Sequence, residues 1–481
     1  MTSDRWAGVL RERGNSGMQD GLVAIVMAAG KGTRMKSSRP KVLHEIAGVS
    51  LLGHVLRGLA ALDVADVFVI VGHGADQVRA DLPQGVRTVL QREQLGTGHA
   101  VGQVIPHLQG FTGQVLILSG DVPLLRPESL KALEDCKRSH GAALSLLTTL
   151  LGDPTGYGRV LRDAAGLVAG IVEHKDASEA QRRVQEVNLG TYLCDWPLLQ
   201  AALEGLKADN AQSEYYLTDA IAALVAAGHG VVAHCLSDAT EGMGVNTRVE
   251  LARLASAYQR RTNEAWMLAG VTIVSPEQCW IGPDVQIGVD TVLEPGTCLS
   301  GHTRVGEGCR IGAYSHLHNV VLGRGVTVLQ SHLVDAEVGD RTQIGPYAHL
   351  RGHARIGADV RLGNFVEVKN SELGQGTKAA HLAYLGDATL GERVNVGCGV
   401  ITVNYDGERK HRTVIADGAF VGSNSNLVAP LTIGSEAYVA AGSTITEDVP
   451  AEALAIGRGR QVNKPAWVSA RKLVVQTRED R

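Results

Sequence analysis

Hydrophobic positions along the chain obey two different rules, and the change of rule divides it. In the first half, short aliphatic runs alternate with stretches of helical spacing. Gly21–Ala29 reads as a strand that runs into a Gly-rich turn and a basic stretch ending at Lys41. A helix is predicted near Leu51–Leu62, and strands over Val67–Val71 (DVFVIV) and Val115–Leu118 (QVLILSGD). Helical patterns cover Gly96–Leu108 and Pro127–Ser139. Alternating strands and helices predict βαβ units around a parallel sheet. Right-handed crossovers then set ligands at the carboxyl ends of the strands, where the turns at Gly30 and Asp121 fall.

In the second half the period is six. Val338, Ile344, Leu350, Ile356, Leu362 and Val368 form one run, Ile281, Ile287, Leu293, Leu299, Val305, Ile311 and Leu317 a second, and Val421, Leu427, Ile433, Val439 and Ile445 a third. Neither a helix (3.6) nor an amphipathic strand (2) gives six. A hexapeptide repeat does, with three hexads closing one triangular coil of a parallel β-helix. The aliphatic residue points inward, glycine often follows it at the turn, and stacking supplies the burial that one hexad cannot. The hexads break between Gly374 and Thr389 (GQGTKAAHLAYLGDAT), where a protruding loop is expected, and stop after Ile456.

Arg248–Leu268 has helical periodicity without Pro or Gly and reads as a connecting helix. The expected organisation is therefore an extension over 1–20 without regular structure (Met18 being an alternative start), an α/β domain over 21–247, a linker helix over 248–269, a β-helix over 270–460 and a basic tail over 461–481.

Composition narrows the chemistry. Aromatics make up only 4%, and the formal charge is −4 with no strong basic run, which argues against a nucleic-acid surface. A nucleotide bound here is expected to be a small molecule. Seven scattered cysteines without a C-x-x-C pair fit a reducing cytoplasm with free thiols. No apolar stretch approaches membrane-spanning length, and no signal-peptide core is read at the start.

The first constellation is Met27-Ala28-Ala29-Gly30-Lys31-Gly32-Thr33-Arg34, with Pro40-Lys41 downstream. Small residues admit a ligand close to the backbone, and successive N–H groups can cradle phosphate oxygens. Arg34 and Lys41 add positive charge. The spacing is neither a Walker loop nor G-x-G-x-x-G. By itself it is equally a tight turn with solvated bases. Gln91 and Gln94–His99 bring amide and backbone groups suited to a base, and Asp121 sets a carboxylate just past a strand, where it suits a hard divalent ion. Thr155–Arg159, Glu173-His174-Lys175, Asn188 and Gly244-Val245-Asn246 complete the set.

Together, GTRM with PKV, QLGTGHA, GDVPL, DPTGYGR and VEHKDA resemble the sugar-nucleotidyltransferase family. With the hexads, GNFVE and NYDG, the resemblance narrows to the bifunctional bacterial N-acetylglucosamine-1-phosphate uridylyltransferase/glucosamine-1-phosphate acetyltransferase family, over about residues 22–468. It implies an α/β nucleotidyltransferase domain with a mixed, mostly parallel sheet and a left-handed parallel β-helix. It also implies a cytoplasmic homotrimer with acetyl sites at the subunit seams, no membrane insertion, Mg²⁺, and UTP, glucosamine-1-phosphate, N-acetylglucosamine-1-phosphate and acetyl-CoA as substrates. Met27, Ala28, Ala29, Gly30, Gln91, Gly96, Thr97, Gly158, Glu173 and Asn188 would contact nucleotide and sugar. Asp121 and Asn246 would hold the metal, and Arg34 and Lys41 the phosphates.

For acetyl transfer the resemblance points to Arg351–Tyr405. His381 is the candidate base, because histidine titrates near neutral pH, and Glu367 is the carboxylate expected to orient it. Arg351, Lys369, Tyr384 and Asn395 would bind glucosamine-1-phosphate. Cys398, Asn404, Tyr405, Ser423, Ala441 and Arg458 would line the acetyl-CoA site, with a backbone N–H near Cys398 for the oxyanion. Ser119, Leu189, Gly352 and Cys398 depart from the family pattern. Cys398 is read as a small buried residue, with a covalent acyl-cysteine as the alternative. Two other functions fit parts of the pattern: a nucleotidyltransferase for another sugar with the β-helix as a rod, and a non-catalytic assembly subunit.

Overall fold

The computed structural model describes residues 20–472, so the extension expected over 1–20 lies, Asp20 apart, outside the described residues. The chain forms two compact units. One runs to Glu264 and takes in Ile281–Asp284; the other holds Ala265–Trp280 and the chain from Val285. The division falls inside the helix Arg248–Leu268 that the sequence sets apart as a connector. No helix among the described residues is long and apolar enough to cross a membrane.

In the first unit the strands are β1 (Leu22–Ala28), β2 (Glu45–Ile46), β3 (Val49–Ser50), β4 (Val64–Val71), β5 (Arg87–Leu90), β6 (Gln114–Ser119), β7 (Leu144–Leu150), β8 (Arg159–Arg162), β9 (Val168–Val172), β10 (Glu186–Asp195) and β11 (Val231–Leu236). The main sheet has the order β11-β7-β10-β6-β1-β4-β5, with the hairpin β8–β9 attached to β10. All neighbours on that path are parallel except β10, which runs antiparallel to β6 and β7. Central parallel strands are covered on both faces, which explains near-continuous aliphatic runs such as VADVFVIV. Ile25, Phe68 and Ile117 point into one core, against the helices Thr97–Gly102, Trp196–Glu204 and Leu217–Ala226. Val26, Val69 and Leu118 point into the other, against Leu51–Leu59 and Pro127–His140.

Two predicted helices come out shorter. The one begun at Leu51 ends at Leu59, where the Ala60 N–H bonds back to Arg57 and tightens the last turn. The one over Gly96–Leu108 is a helix over Thr97–Gly102 and then a separate turn at Ile105–His107. Pro106 has no N–H to continue it.

The second unit is a left-handed parallel β-helix of 26 short strands among the described residues, the inner ones paired with strands of the coils before and after them. Every residue of the three hexad runs is buried. Corner hydroxyls link the coils. Thr342 Oγ1 donates to the Gly357 carbonyl (2.8 Å) and accepts from the Val360 N–H (3.1 Å), and Thr377 repeats this with Gly391 and Val394. Buried backbone groups at the corners are thus satisfied.

One expectation is corrected. Gly374–Thr389 does not protrude: Lys378–Gly386 is a continuous strand in register with Arg361–Lys369. The strict period of six is lost there for two reasons. The coil spacing falls from 18 (Ile344 to Leu362) to 17 (Leu362 to Ala379), and alanine replaces the large aliphatic residue at the inward positions Ala379 and Ala383. The excursion is instead the segment between Ile401–Val403 and Thr413–Ile415, closed by a bridge of Tyr405 to Lys410.

Candidate active sites

In the sheet order, β1 lies between β4 and β6: the chain crosses from β1 to β4 and on to β5 on one side, then crosses back from β5 past β1 to β6 on the other. A crevice at the carboxyl ends of β1 and β6 follows from that reversal. The chain leaves β1 through Ala28–Gly30 and folds into a tight turn at Thr33–Met35. Met35, 1% exposed among Ile46, Leu51, Leu124 and Val245, anchors this turn. Arg34 thereby reaches across to Asn246, Nη2 to Oδ1 2.9 Å. Lys41 Nζ donates to the same Oδ1 at 3.1 Å and forms an ion pair with Asp121. Asp121 is fixed through its backbone: its carbonyl accepts from the Val245 N–H at 2.9 Å, and the Gly120 N–H is tied to Met27 at 2.9 Å. Glu250 holds the Asn246 and Thr247 N–H groups, each at 2.7 Å. Three distant segments therefore bring two cations and two oxygen ligands together.

Beside this cluster opens a cavity of about 330 Å³, lined by Met27, Arg34, Thr97, Gly158, Glu173, Asn188 and Asn246 among others. Burial pushes the Glu173 carboxyl up, and the Thr218 hydroxyl donating to Oε1 at 3.2 Å works against that rise. Asn188 is oriented by two bonds, Nδ2 to the Tyr192 hydroxyl (2.6 Å) and Oδ1 from the Gly190 N–H (3.1 Å). Ala28 and Ala29 are buried behind the turn, and Gly30 is exposed on it. Gln91, 3% exposed, braces the next turn: its Nε2 donates to the Gly96 carbonyl at 3.2 Å. Gly96 (φ +114°) has no room for a Cβ, which would stand 2.5 Å from the Tyr215 carbonyl oxygen. Leu189 packs on Gly242 and, with Ser119, lines the cavity without displacing a charged group. Thr218 and Tyr192 are site residues that the sequence motifs did not single out; they reach the cavity only through folding.

The other constellation stands on the β-helix. Strand register stacks Arg351 on Lys369 and Glu367 on Tyr384. Glu367 is not the partner of His381. Arg351 holds it, Nε at 2.8 Å and Nη2 at 2.6 Å. His381 is opposite Asn364, with Nδ1 2.8 Å from Oδ1. Lys369 is paired with Asp387 at 3.3 Å. Burial opposes ionisation of Asp387, but bonds from Asn370, Asn404 and Lys369 hold it below the usual carboxylate range. Lys410 is carried in by the excursion, and the neighbouring positive charge of Lys369 pushes it down. The motifs single out none of Asn364, Asp387 and Lys410: Asn364 lies inside GNFVE, Asp387 in the stretch where the hexads break, and Lys410 depends on where the excursion folds.

Counting two residues on from the inward Ala379, Val396, Val421 and Val439 gives His381, Cys398, Ser423 and Ala441, at one corner of successive coils. The Asn424 N–H bonds to the Cys398 carbonyl (2.7 Å) and the Gly442 N–H to that of Ser423 (2.8 Å). Arg458 extends the column beside Gly442. The expected base and four of the expected coenzyme residues thus share one edge. Cys398 is exposed, contrary to the burial expected for it, because the turn between Gly397 and Gly399 directs residue 398 outward. Asn404 is buried against Asp387, Asn395 is half-buried beside Val396, and Tyr405 is exposed with its hydroxyl on the Gly407 carbonyl.

Residues 24–184 match the MobA-like NTP transferase domain, and residues 335–370 the bacterial transferase hexapeptide (six repeats). The chain is 51% identical to the bifunctional protein GlmU of Brevibacillus brevis over 92% of its own length and 96% of that relative. It is 49% identical to GlmU of Halalkalibacterium halodurans, over 93% and 98% of the two chains, and 50% identical to GlmU of Exiguobacterium sibiricum, over 92% and 99%. With both units matched nearly from end to end, the chain belongs to the family of bifunctional GlmU proteins.

Proposed function

We propose that the β-helix acetylates glucosamine-1-phosphate with acetyl-CoA, and that the α/β unit then transfers UMP from UTP to the N-acetylglucosamine-1-phosphate formed, yielding UDP-N-acetylglucosamine and pyrophosphate. The convergence of Arg34, Lys41, Asp121 and Asn246 beside the sugar-sized cavity carries the nucleotidyl half of this reading. A phosphate oxygen of the sugar phosphate attacks the α-phosphorus of UTP in line, the bond to the β-phosphate oxygen breaks, and pyrophosphate leaves. Little covalent help is needed, so positioning and neutralisation of charge dominate. Arg34 and Lys41 hold the phosphates, Glu173 and Asn188 the sugar, and the 27–30 turn with the Gln91-braced 96–97 turn the uridine. The Asp121 carboxylate and the Asn246 carbonyl already share one cation, the Lys41 ammonium, and such hard oxygens suit Mg²⁺. When bound there, Mg²⁺ neutralises charge on the phosphate oxygens.

On the β-helix, His381 accepts the proton that the glucosamine nitrogen loses as it attacks the thioester carbonyl. Collapse of the adduct breaks the C–S bond, and the imidazolium proton goes to the departing CoA sulfur. The Gly397 and Gly399 N–H groups are spent on Val421 and Leu382. That of Cys398, between them, is the donor assigned to the oxyanion. Arg351, Lys369 and Lys410 gather positive charge for the sugar phosphate, Tyr384 and Asn395 flank the sugar, and Asn404, Tyr405, Ser423, Ala441 and Arg458 take the coenzyme.

The assembly proposed is a cytoplasmic homotrimer with acetyl sites at its seams. Tyr347, Phe365 and Leu382, all more than half exposed at the edge carrying His381, support a covered surface there, and seven free cysteines support a reducing compartment. A split assay on the purified chain tests the two activities. Glucosamine-1-phosphate with acetyl-CoA should release free CoA, and N-acetylglucosamine-1-phosphate with UTP and Mg²⁺ should release pyrophosphate. Pyrophosphate without CoA would reduce the β-helix to a scaffold, and silence in both would favour a non-catalytic subunit.

Glu173 adds a pH dependence. Because burial raises it, its protonation sets in at a higher pH than for an ordinary carboxyl. The KM for the sugar phosphate should therefore rise as pH falls, starting above the usual carboxylate range. Glu173→Gln should raise the KM at neutral pH and flatten that rise. An unchanged pH profile in the variant would remove Glu173 from sugar binding.

A further inference from the structure

We infer that Asn364 is the positioning residue for His381, and that its amide fixes the imidazole tautomer without adding charge. The inference rests on the acetyl-transfer role proposed for His381 and deepens it. Asn364 and His381 occupy the same corner position on successive coils, and their side chains meet at 2.8 Å. An amide oxygen only accepts, so Nδ1 carries the proton and Nε2 keeps the lone pair needed by a base.

The backbone holds this pair on both sides. A Cβ at Gly363 would lie 1.7 Å from the Ala380 carbonyl oxygen, so the two coils touch just before the pair. Phe365, directly after Asn364, takes a left-handed turn (φ +59°) and stacks on Tyr347 at 5.4 Å and 11°. Neither nearby carboxylate competes for the ring: Glu367 is taken by Arg351, and Asp387 by Lys369, Asn370 and Asn404. The remaining titratable groups on the packed elements are Arg361 on the preceding strand, Lys378 and Tyr384 on its own strand, and Cys398 on the following coil.

A neutral partner has a definite consequence. A carboxylate in its place would favour the imidazolium, leaving less free base at neutral pH. Asn364→Asp keeps an acceptor on Nδ1, so it should retain activity at alkaline pH while the acid limb of kcat/KM moves up by roughly one pH unit. Asn364→Ala frees the ring, and kcat should fall roughly tenfold or more with KM values little changed.

The test measures CoA release by the full-length chain from about pH 6 to 9, for the parent, Asn364→Asp, Asn364→Ala and His381→Ala. Pyrophosphate release from UTP and the thermal transition report integrity in each sample. A shifted limb in the Asp variant and a kcat loss in the Ala variant support the inference. If His381→Ala is inactive while both Asn364 variants keep the parent's profile and kcat, the positioning role is wrong and the base assignment stands. If His381→Ala keeps the parent's rate, the assignment underlying both is wrong. If the variants lose activity only in step with the thermal transition, with an unshifted limb, Asn364 is structural and the inference fails.

Discussion

Asp121→Ala is expected to abolish pyrophosphate release while CoA release continues at the parent's rate. The carboxylate is the ion-pair partner of Lys41 in the cluster with Arg34 and Asn246, and losing it removes both that pair and the principal anchor proposed for Mg²⁺. Charge stabilisation of this kind is worth several kcal/mol in the transition state, so a loss on the order of 10³-fold is expected. The fold should survive. Asp121 is held through its carbonyl, which accepts from the Val245 N–H at 2.9 Å and is untouched by the substitution. The measurement is a pyrophosphate-coupled assay with N-acetylglucosamine-1-phosphate supplied, beside a thiol assay on the same sample.

His381→Ala should do the reverse. Removing a positioned general base costs typically 10²–10⁴-fold, so CoA release should fall by that factor. Pyrophosphate release should be intact when N-acetylglucosamine-1-phosphate is provided. His381 is an exposed side chain on a strand held through its backbone between two coils, so its truncation removes a functional group and little packing. Should either substitution stop both activities in well-folded protein, two separate sites on one chain could not be maintained.

Much of this was legible in the residues, and for a physical reason. Burial in a β-helix is periodic, so Val338 to Val368 announces its coils directly. That signature is lost where the period changes. A coil one residue shorter, with alanines turned inward, carries the pattern expected of a loop, and the real excursion at Tyr405–Lys410 has no periodic mark. At the sites, single residues with distinctive chemistry (Asp121, Lys41, His381) were visible in motifs. Pairings across the chain were not: Thr218 on Glu173, Arg351 on Glu367 and Asn364 on His381 depend on which coil or strand lies next to which. Cys398 was misplaced because small neighbours suggest burial, whereas its position two past the inward Val396 puts it on the outer corner.

The edge that runs from His381 through Cys398, Ser423 and Ala441 to Arg458 has one more consequence. A stack of repeats holds together by nearest-neighbour contacts, so it frays from its ends and its inner layers open last. Coils from Thr272 onward lie below His381, and several more lie above it, whereas Arg458 follows the last strand, Leu454–Ala455. The column therefore grades from firm to loose. The imidazole, whose proton transfer tolerates little displacement, is exposed but carried on a strand whose backbone is held between inner coils. Arg458, proposed for the coenzyme, sits past the last strand, at the end where fraying is expected and where capturing a charged ligand tolerates movement.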